Sequence, residues 1–218
     1  MNEIDGVKYY SSLEEGINIG SHALGFLLSI IATVLLVIHS SQDGNIWHVV
    51  SFSIYGASLL IVFAASTIYH SAKKPALRSR LRIVDHAAIY VLIAGTYSPF
   101  TLVTLHGTVG WVMFGITWGM AFTGIILKIF YTGRFKVLST LMYVFMGWII
   151  IFAIKPLMNN LSAEGLNWLV AGGVFYTVGA ILYSIKKIKM NHAIFHVFVL
   201  LGAACHFVSV YFYVLPTA

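Results

Sequence analysis

The sequence predicts an all-α integral membrane protein of seven transmembrane helices, its N-terminus cytoplasmic and its C-terminus outside. Three observations predict it. Of the 218 residues, 59% are hydrophobic and 9% charged, against roughly 45–50% and about 25% in a soluble domain. Seven acidic and 13 basic side chains cannot clothe a chain of this size, so most of its surface faces something other than water. The apolar residues also fall into seven runs, each near the ~20 residues that cross a bilayer at 1.5 Å per residue.

The runs are residues 17–39, 46–71, 83–105, 109–127, 137–154, 166–185 and 191–215. Residues 1–16 form a short polar segment that includes Glu14 and Glu15. It lacks the basic start, short apolar core and cleavage site of a signal peptide, so none is expected. The third run holds Pro99 within Gly95-Thr96-Tyr97-Ser98-Pro99, where a kink is expected and the freed carbonyl needs a local partner. Pro75 is expected in a loop and Pro156 just past the fifth run, where a missing N–H does least harm. Gly172-Gly173 in the sixth run and Gly202-Ala203-Ala204 in the seventh suit close helix approach in lipid. The connections are too short for another domain, so residues 1–218 read as one seven-helix unit. The single cysteine, Cys205, excludes an internal disulfide and reads as a small core residue.

Orientation follows from the basic residues, which favour cytoplasmic loops. Lys8, then Lys73, Lys74, Arg78, Arg80 and Arg82, then Lys128, Arg134 and Lys136, then Lys186, Lys187 and Lys189 share the side of the N-terminus. Only Lys155 falls on the other side. The positive charge is thus explained by topology and by attraction to anionic lipid, and the short loops offer no nucleic-acid motif.

An ionisable group inside a span costs at least ~2.5–3.5 kcal/mol if charged at the centre, so each one needs a reason. His39, His48 and His106 sit at span ends on the outer side, where water satisfies them. His192 and His196 are four apart, which places both imidazoles on one helix face at a common metal-ligand spacing. The same spacing also serves as hydrogen-bonding glue between helices. His70 ends the second run on the same side of the membrane, with Ser66 one turn deeper on its face. Asp85 lies about one turn inside the boundary set by Arg80 and Arg82, and is the only acid between Asp43 and Glu164. Alone it reads as a salt-bridge or helix N-terminal partner. Three histidines, a carboxylate and a serine from three helices at one depth point instead to a shared site.

Three imidazoles leave a tetrahedral zinc one open position for water, the layout of a catalytic centre. Zinc acidifies such a water, Asp85 is then placed to hold it or take its proton, and Ser66 to donate a hydrogen bond. His206 lies fourteen residues beyond His192, ~21 Å farther along the helix axis. It is expected to make a hydrogen bond in the helix core. His86 is expected to orient or brace.

The chain resembles the PAQR superfamily, specifically its bacterial hemolysin III branch, relatives of adiponectin and progestin receptors. The carriers are Glu15-Gly16-Ile17-Asn18-Ile19-Gly20-Ser21-His22, Ser66-Thr67-Ile68-Tyr69-His70, Asp85, and His192-Ala193-Ile194-Phe195-His196. The resemblance implies a Zn2+ ion held by His70, His192 and His196, with Asp85 and Ser66 around its water. It also links the chain to ceramidase-like amide hydrolysis, control of membrane lipid state and red-cell lysis. The leading expectation is a zinc-dependent hydrolase of a lipid amide or ester, acting in lipid homeostasis in the bacterial inner membrane, with membrane lipids as partners. The alternatives are a cytolysin or pore, and a lipid sensor or receptor with a structural zinc. No span shows a polar stripe to line a water-filled path. The seventh run has no lysine for a retinal Schiff base, and one intramembrane acid is sparse for a proton relay.

Overall fold

The computed structural model describes residues 2–4, 7–131 and 136–215. Arg134, counted among the basic loop residues, and the C-terminal residues 216–218 lie outside the described residues. A short antiparallel hairpin of β1 (Asn2–Ile4) and β2 (Val7–Tyr9), with Asn2 opposite Tyr9, leads into the helices.

Helix α1 (Ser12–Asp43) begins five residues before its apolar run. The Ser11 hydroxyl accepts the Glu14 N–H at 3.2 Å, and Glu14 and Glu15 fill the first turn, where acids favour the helix dipole. Helix α2 (Ile46–Ser71) opens with a reciprocal cap, in which the Asn45 side chain accepts from Trp47 and His48 while His48 Nδ1 accepts the Asn45 N–H at 3.2 Å. Helix α3 (Pro75–Pro99) starts eight residues earlier than the apolar pattern suggests. Pro75 is therefore not a loop residue but the first helical residue, where its fixed φ suits the turn. Arg78, Arg80 and Arg82 become helical with it.

The expected disturbance at Pro99 takes the form of a π-helical stretch, Phe100–Leu105. Neighbouring hydroxyls serve the carbonyls around it: Thr96 donates to Leu92 O at 2.8 Å, Ser98 to Ala94 O at 3.0 Å and Thr101 to Tyr97 O at 2.9 Å. His106 and Gly107, both at positive φ, make the turn into α4 (Gly107–Tyr131). The fifth span is broken into α5 (Lys136–Trp148), a 3-10 stretch Ile149–Ala153 and α6 (Ile154–Asn160), with Pro156 in the first turn of α6. Tyr97 bridges this break: its hydroxyl donates to Gly147 O at 2.9 Å and accepts the Ile150 N–H at 3.0 Å. Helix α7 (Ala163–Ser184) is capped by Ser162. Helix α8 (Asn191–Ser209) follows Met190 at φ 57° and ends in a second π-helical stretch, Val210–Val214.

Among the described residues these elements make seven spans long and apolar enough to cross a membrane, with α5, the 3-10 stretch and α6 together forming the fifth. Helices α1, α2, α3 and α4 pack in sequence, α7 packs on α8, and α8 closes on α1, with α5 touching α3 and α7. The third span is the most enclosed, 78% of its apolar window being buried against 17% in the sixth. Glycines make the close approaches: a Cβ at Gly124 would strike the Tyr90 ring, and one at Gly172 the His206 ring. Large apolar side chains such as Leu27, Ile31, Phe130 and Phe152 stay on the outside, as a bilayer requires.

Candidate metal centre

The C-terminal end of α2, the first turns of α8 and the N-terminal end of α1 meet at one end of the bundle. His70, His192 and His196 are all buried there. His192 Nε2 lies 3.0 Å from His70 Nε2 and 3.1 Å from His196 Nε2. One ligand atom from each ring falls within 4.8 Å of the others, a group able to hold a metal ion.

The surrounding groups decide which nitrogen of each ring faces inward. His70 Nδ1 donates to Glu15 Oε2 at 2.7 Å, and His196 Nδ1 donates to the Asn18 carbonyl at 3.3 Å. Both rings therefore turn a bare Nε2 toward the centre. His192 Nε2 can carry one proton at most, so its two short contacts cannot both be satisfied in a neutral trio without lone pairs confronting each other. A cation relieves that opposition. Three nitrogens each 2.0–2.1 Å from one zinc in tetrahedral directions would stand about 3.3 Å apart, close to the spacing seen. A carboxylate or carbonyl on the remote nitrogen is also the usual orienting partner of a metal-bound histidine.

Glu15 is held in turn. Its other oxygen pairs with the Arg78 guanidinium, which also donates to His70 O at 3.1 Å and Ala72 O at 3.2 Å. That guanidinium lies 4.7 Å from the Tyr9 ring centre and 4.8 Å from that of Tyr69. Arg78, only 2% exposed, is thus not a solvated topology charge but a buried clamp joining α1, the end of α2 and the start of α3. Tyr10 stacks on His192 at 4.6 Å and 12°. Burial pushes its phenol upward, so it stays neutral. On the inner side His22 stacks on His196 at 3.7 Å and 14°, with the Phe63 ring edge-on at 5.1 Å.

The three expected histidine ligands are brought together. Ser66 is buried one turn from His70, and its hydroxyl has no hydrogen-bond partner. Asp85 Oδ2 lies 3.3 Å from His86 Nδ1, and among the described residues no hydrogen bond or ion pair links this carboxylate to the three imidazoles. His86 Nδ1 also reaches Arg82 O at 2.8 Å, while the Tyr143 hydroxyl donates to His86 O at 3.0 Å. His206 Nε2 donates to Leu169 O at 3.1 Å, the core hydrogen bond its position suggested. Glu15, Asn18, Tyr10 and Arg78 were not expected as parts of the site. The signal for two of them is present: Ser11 followed three residues later by Glu14 is a helix-start signature, and it extends α1 far enough to put Glu15, Asn18 and His22 on one face.

Fold and site together define a seven-helix integral membrane protein with a buried three-histidine centre that can take a metal ion. Residues 10–207 match the haemolysin-III related family, and the chain belongs to it. It is 50% identical over 205 residues to "Hemolysin-3" of Bacillus cereus, covering 94% of each chain. It is 48% identical over 200 residues to "Hemolysin-3 homolog" of Bacillus subtilis (strain 168), covering 92% of this chain and 94% of the relative. A more distant relative is the human "Monocyte to macrophage differentiation factor", 32% identical over 212 residues and covering 94% of this chain and 87% of the relative.

Proposed function

We propose that this protein is a zinc-dependent hydrolase of a lipid amide or ester, acting in membrane lipid homeostasis from the bacterial inner membrane with its histidine end toward the cytoplasm. The observation that carries the reading is the convergence of three Nε2 atoms, two of them on rings whose Nδ1–H is tied back to Glu15 and Asn18. His70, His192 and His196 would hold the zinc. Bound there, it supplies Lewis acidity, polarising an acyl carbonyl and making water nucleophilic near neutral pH.

The remaining chemistry falls to the chain's own groups. Glu15 and Asn18 hold the imidazoles in one tautomer. Ser66 brings a buried hydroxyl to the same face as His70 and is free to orient a polar atom of the substrate. Asp85 has Oδ2 beside His86 Nδ1, and in this reading its carboxylate takes the proton released in hydrolysis. The enclosing spans exclude bulk water, so the substrate arrives from the bilayer.

The test is metal analysis of the purified, tag-free protein followed by release of fatty acid from vesicles containing an N-acyl or O-acyl lipid. About one zinc per chain is expected, with turnover falling roughly 10²- to 10⁴-fold in Asp85→Ala and vanishing in His70→Ala. Absence of stoichiometric zinc overturns the reading. One observation favours a second reading, a non-catalytic lipid sensor braced by zinc: the Asp85 carboxylate is engaged by His86 rather than by the triad. Unchanged membrane lipids in cells expressing wild type and Asp85→Ala, with zinc retained, would select it. Dye release from vesicles that persists in His70→Ala would select a pore instead.

A further inference from the structure

One face of α1 carries Glu15, Asn18 and His22, then continues through Gly25, Ser29 and Ala32 at steps of three and four. It lies against His70, Ser66, Phe63 and Leu59 of α2, running the opposite way, and against His196, Leu200 and Ala203 of α8. At the metal end Glu15 and the Asn18 carbonyl on this seam are engaged, by His70 and His196. One turn deeper three buried residues are not: Asn18 Oδ1, Ser66 Oγ and both ring nitrogens of His22 complete no well-directed hydrogen bond. Asn18 is 0% exposed, Ser66 2% and His22 4%. Unsatisfied polar atoms are rare in native interiors and each needs an explanation. Three neighbouring residues in the same state on facing helices call for a single one.

Beyond His22 the seam opens into an apolar cavity of about 240 Å³ whose lining includes Gly25, Ala32, Leu59, Phe63, Leu200 and Ala204. It opens on the outer face of the bundle, between rim side chains Leu28, Ile31 and Leu35 that are 52%, 57% and 40% exposed. These lie in the middle of apolar spans, at the depth of acyl chains. Phe63 belongs to both parts: it lines the cavity and stands edge-on to His22, which covers His196. The cavity has almost no polar lining, because Ser29 turns its hydroxyl back to Gly25 O at 2.7 Å. The acidic side chains nearest this polar group are paired, Glu15 with Arg78 and Asp85 with His86.

We infer that the seam between α1, α2 and α8 is a lateral lipid site: one acyl chain enters from the bilayer into the cavity, and its neutral polar head sits among Asn18, His22 and Ser66 beside the metal centre. An uncharged group that hydrogen-bonds, such as a hydroxyl, amide or ester, fits the pocket. A quaternary ammonium there would be a charge buried without a partner, next to a centre built to hold a cation. The site rests on the proposed hydrolase only for its purpose, since binding does not require turnover.

The experiment uses the full-length protein in phosphatidylcholine vesicles doped with a long-chain alcohol bearing a mid-chain diazirine, or with the matching alkyl trimethylammonium. Photolabelled residues are mapped by mass spectrometry. The alcohol is expected to label residues 25–35 and 200–207 preferentially, and the ammonium probe to label the lipid-facing helices evenly. Ala204→Trp, which fills the cavity from the lipid side, removes the preference, whereas Val174→Trp on the outer face of α7 leaves it intact. His22→Phe keeps the ring and the metal content but weakens alcohol labelling of the seam by roughly tenfold, the factor one hydrogen bond commands. Even labelling by the alcohol, or indifference to Ala204→Trp, overturns the site. Equal preference for both probes overturns the neutral head pocket. Preferential labelling in a chelator-stripped, inactive protein keeps the site even if the hydrolase reading fails.

Discussion

Both ends of the bundle bury histidines, and at only one of them do the imidazole nitrogens converge on one another. At one end His70 and His196 give Nδ1 to a carboxylate and a carbonyl, and their Nε2 atoms meet His192. At the other, His39 is not satisfied by water as its span-end position suggested but is buried, giving Nε2 to Leu215 O at 2.7 Å with Nδ1 3.2 Å from Asp43 Oδ2, and His206 gives Nε2 to Leu169 O at 3.1 Å. Each of these two rings ties one helix to the backbone of another, alone and without a second imidazole opposite. Burial of a histidine therefore says little about its task. Whether the nitrogens left over converge separates a candidate metal ligand from a helix fastener.

Removing one ligand breaks the contrast most severely. His196→Ala is expected to take zinc content from about one per chain to background, measured by elemental analysis, because two imidazoles make a poor closed site. Glu15→Gln keeps the size of the group but weakens its hold on His70 and Arg78. Its expected cost is roughly 10- to 100-fold in zinc affinity, read by competition with a chromophoric chelator. At the far end, His206→Ala should leave zinc stoichiometry unchanged and lower thermal stability by about 2–3 kcal/mol through the lost hydrogen bond and the void beside Gly172. A fall in zinc content there would erase the distinction between the two ends. The smallest effect belongs to Asp43→Asn. Asp43 pairs with His39 at 3.2 Å but is 57% exposed, so stability should move by less than about 0.5 kcal/mol and zinc not at all.

The seven spans were legible because lipid imposes a length and a polarity that soluble cores do not. The triad was legible too, since His192 and His196 sit one turn apart and the four crossings between the end of span two and the start of span seven, an even number, bring His70 to their level. Arg78 was misjudged for a physical reason: the positive-inside pattern explains any basic residue near a span end, and so conceals one that has turned inward. The break at Ile149–Ala153 had no signal at all in a run of isoleucines. It is stabilised by the Tyr97 hydroxyl, which arrives from fifty residues away, and no local pattern reports that. Asn18 acts on His196 through its backbone carbonyl, a role to which side-chain identity is blind.

The candidate ligands His70 and His192 stand 122 residues apart in the chain, on the second and the last of the spans. A chain inserted helix by helix has no place for the ion until the seventh span has docked against the first two. The proposed metal capture would thus mark the completion of membrane assembly: a truncated or half-inserted chain would stay metal-free, and a loaded one would have all of its topology in place.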